Sequence, residues 1–169
     1  PGLTAEFGLS NAQLGSLSAA YFFAFAALQL PLGIWLDRFG SRRVDASLLL
    51  VAAAGCGVFA LATGPTMLWI GRALIGAGVA GALMCSLRAF RFWYAAERQQ
   101  QLAAWMLVAG TLGALVTTVP VQLALPLLGW RGVFWVSAAL LACASAAIFF
   151  VLPHEPMQSP RKGESQWAG

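Results

Sequence analysis

Charged side chains are scarce in this sequence of 169 residues, because Asp, Glu, Lys and Arg together make up only 9% of it. Soluble domains carry about 25% charged residues, since polar side chains must cover a surface that faces water. Hydrophobic residues reach 60% here, and Gly and Pro follow no repeat. The composition therefore argues against a soluble domain and against a disordered or collagen-like chain, and it favours an integral membrane protein.

Groups that commonly perform chemistry are also few. The sequence has one histidine, His154, and six carboxylates, none of which are paired within an apolar stretch. The cysteines Cys56, Cys85 and Cys143 lie in apolar stretches without metal-ligand spacing, so we interpret them as packing residues. We therefore predict no enzyme activity, no metal site and no cofactor.

The net charge of +4 does not indicate nucleic-acid binding. The ten Lys and Arg residues occur mostly in short clusters between long uncharged stretches. A nucleic-acid-binding domain instead places its basic residues along one exposed face. We expect no nucleic-acid partner, and a lipid bilayer as the surroundings of the chain.

Five stretches are long and apolar enough to cross a bilayer, whose hydrocarbon core requires about 20 apolar residues in helical form. Their Ala and Leu content, and the lack of alternation with period two, argue against membrane strands. The predicted spans are residues 13–35, 44–63, 66–87, 102–125 and 133–152. The sequence thus predicts an all-α integral membrane bundle over residues 1–152, followed by a polar linker, 153–169.

The basic residues predict the orientation of these spans. Segments 36–43 and 88–101 each hold three arginines, and 153–169 holds one arginine and one lysine, whereas the other side has Arg131 alone. By the positive-inside rule the three segments face the cytoplasm and residues 1–12 lie outside. We therefore expect the inner (plasma) membrane as the location, and a further helix upstream that places the N-terminal segment outside.

The segment between the first two spans carries the most specific motif of the chain. It reads Gly33-Ile34-Trp35-Leu36-Asp37-Arg38-Phe39-Gly40-Ser41-Arg42-Arg43. This pattern resembles the cytoplasmic loop motif of the major facilitator superfamily, G-x-x-x-D-R-x-G-R-R. The departure is Ser41, which stands where a basic residue is common.

The resemblance implies a conformational latch on the cytoplasmic side. A carboxylate at the membrane boundary can accept hydrogen bonds from Arg and from the helix N-terminus of a second bundle, and such contacts exist in one state only. Asp37 and Arg38 would thereby hold the outward-open state, while Gly33 would allow close helix approach and Gly40 a tight turn. The residues assigned to this gating motif are Gly33, Asp37, Arg38, Gly40, Arg42 and Arg43.

A second motif lies in the third span, where Arg72 interrupts an apolar stretch. A charge at mid-helix costs about 2.5–3.5 kcal/mol on insertion scales, and snorkelling to the outer boundary remains an alternative. The spacing Leu68-x-x-x-Arg72-x-x-x-Gly76-x-Gly78 resembles the fourth-helix motif of the family, with Ile75 where many members have Gln. The resemblance implies that Arg72 faces the central cavity and contacts substrate or a proton-carrying carboxylate.

Two weaker assignments concern polar and small residues within the spans. Gln29 is a further candidate for the cavity, although an interhelical hydrogen bond explains it equally well. Small residues four positions apart let helices approach closely. The positions assigned to helix packing are Gly76, Gly78 and Gly113.

The resemblance covers nearly the whole chain, in the order of helices two to six of a twelve-helix transporter. It implies five transmembrane helices of a six-helix bundle of the major facilitator type, without its first helix and C-terminal bundle. The implied function is secondary active transport of a small solute by alternating access, with proton coupling.

The substrate and the exact class of transporter stay open at this point. An anionic solute would suit Arg72, which could equally serve coupling. A transporter-like membrane sensor and a drug-efflux antiporter of the same superfamily are alternatives. The fifth helix of such antiporters usually carries Gly-Pro and Gly-Gly pairs, and residues 110–118 have neither. The expected partners are a small-molecule substrate, the lipid bilayer and the missing C-terminal bundle of the same protein.

Overall fold

The computed structural model of the chain describes residues 6–153, which are almost entirely helical and contain no strand. The all-α class expected from the sequence is therefore confirmed. From residue 11 to residue 153 the structure describes four helices: α1 (Asn11–Ala60), α2 (Pro65–Val79), α3 (Ala82–Trp93) and α4 (Ala96–Val151). The predicted linker, apart from its first residue, lies outside the described residues.

Helix α1 begins with a capping box and is divided by a glycine. Ser10 Oγ accepts a hydrogen bond from Gln13 N at 3.3 Å, and Gln13 Oε1 accepts one from Ser10 N at 2.8 Å, which satisfies two amides of the first turn. Gly40 has φ 76° and ψ 160°, a region that is essentially restricted to glycine. We call residues 11–39 the first arm of α1 and residues 41–60 its second arm.

The two arms lie side by side in opposite directions. One buried cluster, remote from Gly40, consists of Leu9, Leu17, Phe59, Ala62 and Leu68. The other, next to Gly40, consists of Leu32, Leu36, Val44, Leu48 and Cys85. The start of the first arm thus meets the end of the second, as in a hairpin. Within a bilayer such packing relies on close van der Waals contact, because lipid tails are as apolar as the side chains.

Helix α2 packs against both arms of α1 through glycines. A Cβ at Gly76 would collide with the backbone carbonyl of Tyr21 in the first arm, and a Cβ at Gly78 would collide with the backbone of Ala52 in the second. Only a residue without a side chain lets the backbones approach so closely. Gly113 differs, since a Cβ there would meet nothing within 4 Å.

Helix α4 is also divided, at Gly129, where φ is 66° and ψ is 172°. Its second arm (130–151) lies along the second arm of α1, where Ser145 Oγ donates to Ala46 O at 2.7 Å and the Phe59 and Phe134 ring centroids are 4.2 Å apart. Its first arm (96–128) exposes large apolar side chains over most of its length. Few of the described residues pack against this first arm of α4.

The loops differ from those predicted. Instead of a loop over 36–43, helix α1 continues on both sides of Gly40, and between α3 and α4 only residues 94 and 95 replace the predicted loop 88–101. Arg, Gln and Ala are good helix formers, so the helices extend through both segments. Conversely, the predicted span 66–87 is interrupted at residues 80 and 81, which separate α2 from α3.

Three helical stretches among the described residues are long and apolar enough to cross a membrane: Asn11–Ala60, Pro65–Trp93 and Pro120–Val151. The first contains two of the predicted spans, joined at Gly40. The predicted span 102–125 lies mostly outside these three stretches. The number of five spans and their bounds remain predictions.

Candidate functional site

Asp37, the carboxylate of the predicted latch, is paired within the described bundle. Its Oδ1 accepts a hydrogen bond from Arg88 Nη1 at 2.5 Å, which joins the end of the first arm of α1 to α3. The Asp37 side chain is 76% exposed and that of Arg88 25% exposed, so the carboxylate stays accessible to a second partner. Because an exposed ion pair contributes only about 0–1 kcal/mol, the pair orients Asp37 more than it stabilises the fold.

The three arginines of the gating motif have different surroundings. The guanidinium of Arg38 lies over the ring of Phe39, with 5.4 Å to the ring centroid. Arg42 Nη1 donates to Leu152 O at 3.1 Å, where a cation complements the C-terminal end of α4. Arg42 thus fastens α1 to α4, a structural role that the gating prediction did not include. Arg43 is exposed and lines a groove described below.

The two glycines of the motif also differ. Gly40 holds the backbone reversal between the arms of α1, where its positive φ would strain any other residue. Gly33 lies in a regular part of the first arm, and a Cβ there would meet nothing within 4 Å. No helix of the described bundle therefore makes the close approach that was predicted at Gly33.

Arg72 lies about two turns into α2, which begins with Pro65 at its first position after Gly64. Its guanidinium carbon is 5.1 Å from the ring centroid of Phe59 and 5.8 Å from that of Phe134. Such cation–π contacts contribute about 2 kcal/mol when desolvated, and they offset part of the cost of holding a charge among apolar helices.

The charge of Arg72 is otherwise unbalanced in the described part of the chain. Its Nε atom is buried and has no hydrogen-bond partner there, and no carboxylate of residues 6–153 lies within ion-pairing distance. A buried unpaired guanidinium is expensive, so it usually faces a partner, a substrate or a water-filled path. The group can accept an anion without first breaking a protein ion pair.

Gln29 bridges two elements. Its Nε2 donates to Ala80 O at 3.2 Å, a carbonyl at the interruption between α2 and α3. This contact matches the interhelical hydrogen bond that the sequence left as an alternative. The Oε1 atom of Gln29 is buried without a hydrogen-bond partner in residues 6–153, so one acceptor remains for another donor. No hydrogen bond within that range links Gln29 to Arg72.

A cluster at the opposite end of the bundle was not identified from the sequence. Arg131 Nη1 lies 2.6 Å from Glu6 Oε1, and its Nε and Nη2 atoms donate to Ala60 O and Ala62 O at 3.1 and 3.0 Å. Trp130 Nε1 donates to Glu6 Oε2 at 2.9 Å. The hydrogen bond from Arg131, and to a smaller extent the one from Trp130, lowers the pKa of the Glu6 carboxyl.

The sequence contained one indication of this cluster. Arg131 is the single basic residue on the predicted outer side. An arginine there departs from the positive-inside trend, which indicates that it has an anionic or carbonyl partner. The acceptors are 69 to 71 positions away in the chain, which no local pattern reveals. Among residues 6–153 no group of three or more His, Cys, Asp or Glu side chains is arranged to hold a metal ion.

Comparisons with known proteins agree with this architecture. The family model described as Major Facilitator Superfamily matches residues 1–169. The chain is 29% identical over 140 residues to the hexuronate transporter of Escherichia coli, covering 83% of this chain and 32% of that protein. It is 29% identical over 141 residues to the "Probable sulfoacetate transporter" of Cupriavidus necator, covering 83% of this chain and 33% of that one.

A third relative is named for antibiotic resistance. The methylenomycin A resistance protein of Bacillus subtilis is 31% identical over 146 residues, which are 83% of this chain and 30% of that protein. The chain therefore spans about a third of the length of these curated relatives. With a family model matching its whole length and long apolar helices in its structure, this chain is a multi-pass membrane protein that belongs to the major facilitator superfamily.

Proposed function

We propose that this chain forms the N-terminal transmembrane bundle of a secondary transporter that moves a small organic anion by alternating access. In this proposal residues 1–152 provide five spans, and residues 153–169 begin a cytoplasmic linker to a second bundle. Residues 1–12 face the outside of the inner (plasma) membrane, and a proton gradient drives the cycle. Family membership supports transport in general, and the orientation is supported by the basic segments.

The observation that carries the substrate class is Arg72. Its guanidinium is half-buried among apolar helices and lacks a carboxylate partner in residues 6–153. An anionic substrate supplies the missing charge, and a planar guanidinium binds a carboxylate or sulfonate through two parallel hydrogen bonds. Two of the relatives are named as transporters of hexuronate and sulfoacetate, both organic anions, which supports the same substrate class.

Gln29 has a supporting role in this proposal. Its buried Oε1 atom has no hydrogen-bond partner in residues 6–153, so it is an acceptor for a substrate hydroxyl or a water molecule that reaches it. A polyhydroxylated acid offers both groups, a carboxylate for Arg72 and hydroxyls for Gln29. We therefore expect sugar acids to be better substrates than unsubstituted short carboxylates.

The test is uptake of radiolabelled glucuronate, sulfoacetate and glucose by the full-length protein in proteoliposomes with an imposed inward proton gradient. We expect uptake of at least one anion but not of glucose, and loss of that uptake when a protonophore collapses the gradient. Arg72→Gln should reduce the anion uptake at least tenfold. Arg72→Lys should retain part of it, because charge persists while the bidentate geometry is lost.

A matched control removes a different arginine. Arg91 is exposed on the predicted cytoplasmic side, outside the site, so Arg91→Gln should leave uptake unchanged. Full uptake by Arg72→Gln would refute the role of Arg72. Binding of an anion without flux would favour a transporter-like sensor.

The methylenomycin resistance relative keeps drug efflux as a second candidate. Outward transport of an uncharged or cationic drug, together with no anion uptake, would favour that candidate. The same proteoliposomes, preloaded with drug and given the opposite proton gradient, distinguish the two directions.

A further inference from the structure

A groove of about 310 Å³ runs between the two arms of α1 on the predicted cytoplasmic side. Its lining residues are Trp35, Phe39, Arg43, Val44 and Ser47. Two aromatic rings of the first arm form one wall, and the second arm contributes a guanidinium, a hydroxyl and an aliphatic side chain. The groove is thus mostly apolar, with one cation and one hydroxyl among its lining groups.

The cation of this groove has no hydrogen-bond or ion-pair partner among residues 6–153. Whereas Arg42 donates to a helix C-terminal carbonyl and Arg88 pairs with Asp37, Arg43 is exposed and makes no hydrogen bond or ion pair with another described residue. Ser47 Oγ donates to Val44 O at 2.8 Å, so its lone pairs remain free to accept. Arg43 is therefore the charge of this groove that an outside ligand can neutralise.

The face of the second arm below Arg43 is apolar and exposed. Leu50 and Val51 lie about one turn beyond Ser47 toward the predicted bilayer centre, and their side chains are 54% and 36% exposed. Seven residues of helix cover about 10 Å, which is the depth from a phosphate group into the upper acyl chain. On the other wall, Trp35 is an aromatic residue of the kind that anchors at the headgroup level.

We propose that this groove is a binding site for an anionic phospholipid, whose phosphate contacts Arg43 and whose acyl chain lies along Trp35 and Leu50. A cation above an apolar strip matches the chemistry of a lipid, in which a charged head and a hydrocarbon tail are covalently joined. Basic pockets between helices on the cytoplasmic side bind anionic headgroups by the same combination. The bilayer supplies this ligand at the level where the positive-inside rule places the groove.

Two other occupants fit less well. A free phosphate would leave the aromatic walls uncovered and would rely on one exposed guanidinium, which is weak in water. A helix of the second bundle would have to bring an acidic side chain to Arg43 at the membrane boundary. The lipid satisfies both the charge and the apolar walls, so we commit to it and treat the others as outcomes of the test.

The experiment measures lipid retention by the full-length protein with native mass spectrometry. Purified protein in detergent is titrated with phosphatidylglycerol and, separately, with phosphatidylcholine of the same acyl chains. We expect tighter retention of phosphatidylglycerol, and a loss of about fivefold in its affinity for Arg43→Gln, as for one arginine at an anionic surface. Retention of phosphatidylcholine should hardly change, and Arg43→Lys should preserve most of the preference.

Arg91→Gln is the matched control, because it removes one exposed cytoplasmic charge outside the groove. Unchanged phosphatidylglycerol retention by Arg91→Gln, together with loss by Arg43→Gln, supports the site. An equal loss in both variants would reduce the effect to general surface charge and overturn the proposal, as would no loss in either.

Two further experiments test the other two occupants, a free anion and the second bundle. Glycerol 3-phosphate shares the phosphate but lacks acyl chains, and competition by it at micromolar concentration would overturn the lipid assignment in favour of a free anion. A photo-cross-linking residue in place of Ser47 should add the mass of a phospholipid. A cross-link to another part of the polypeptide would instead identify the second bundle as the occupant.

Discussion

Arg42 and Arg131 perform the same structural task at opposite ends of the bundle. Arg42 donates to Leu152 O at the end of α4, and Arg131 donates to Ala60 O and Ala62 O at the end of α1. The last carbonyls of a helix have no partner within the helix, and a cation there also complements the helix dipole. Both arginines thus satisfy carbonyls that have no partner within their own helix.

Only part of this was predictable from single residues. The sequence identified Arg42 through a motif and left Arg131 unassigned, because the acceptors are backbone atoms of distant residues that carry no signal of their own. Arg72 was identified because a charge in an apolar stretch is costly wherever it points. Its contacts with Phe59 and Phe134 required the fold.

The Glu6–Arg131 pair predicts a stability that depends on pH. The pKa of Glu6 is lowered from its usual 4.5, so the pair stabilises the fold above that value, and the contribution is lost as the pH falls through the lowered pKa. We expect the thermal midpoint of the wild type to exceed that of Glu6→Gln at pH 7, and the difference between the two midpoints to shrink as the pH falls below 4.5. Thermal unfolding in detergent measures both proteins.

The comparison contains its own control. Every other carboxylate titrates equally in the wild type and in Glu6→Gln, so the difference between their midpoints isolates Glu6. Trp130 and Arg131 approach different oxygens of Glu6, and Gln keeps only one acceptor oxygen, so the substitution removes the charge together with one of these two contacts. A difference that persists unchanged down to pH 3 would contradict the ion pair.

At the scale of elements, two long helices are each divided at one glycine. Gly40 and Gly129 have nearly the same dihedral angles, with φ of 76° and 66° and ψ of 160° and 172°. Each connects two long arms without a longer loop. The motif predicted the turn at Gly40. The helices on both sides of Gly40 are longer than predicted, because a helix can continue into water beyond the apolar stretch.

Glycine packing gives a prediction at the same scale. In an open helical position Gly→Ala stabilises by up to about 1 kcal/mol, because alanine is the better helix former. We expect Gly113→Ala to be neutral or stabilising, since its Cβ meets nothing within 4 Å, whereas Gly78→Ala should lower stability because its Cβ collides with the backbone of Ala52. Overpacking of this kind costs about 1–3 kcal/mol.

The measurement is unfolding by a denaturing detergent, followed by circular dichroism, with both variants in parallel. Gly76→Ala should behave like Gly78→Ala, because it faces the backbone of Tyr21. Equal stabilities of the Gly78 and Gly113 variants would show that α2 does not lie between the arms of α1 as described.

At the scale of the whole molecule, the all-α class was predictable, whereas the five predicted spans and the site residues remain predictions. Composition and apolar run length fix the all-α class, since only a helix satisfies its own backbone within lipid. The geometry of a transport site depends on side chains from several helices. This chain spans about a third of the length of its relatives. The exposed first arm of α4 and the open surroundings of Gly33 are surfaces against which the proposed second bundle can pack.

The latch prediction is sharpened by the pairing of Asp37 with Arg88. An alternating-access latch holds one conformational state, so its loss should slow the cycle more than it weakens substrate binding. In the full-length protein we expect Asp37→Asn to reduce the uptake rate about tenfold or more, with less than a threefold change in the dissociation constant. Uptake in proteoliposomes and equilibrium binding on the same preparation give the two numbers.

Arg88→Gln separates the two partners that Asp37 can have. If the pair within this bundle is the functional contact, Arg88→Gln should slow uptake as much as Asp37→Asn does. If Asp37 acts on the second bundle, Arg88→Gln should have a smaller effect, because the 76% exposed carboxylate keeps its other partner. Normal uptake by Asp37→Asn would remove the latch assignment altogether, and the pair with Arg88 would then be a surface contact that only joins α1 to α3.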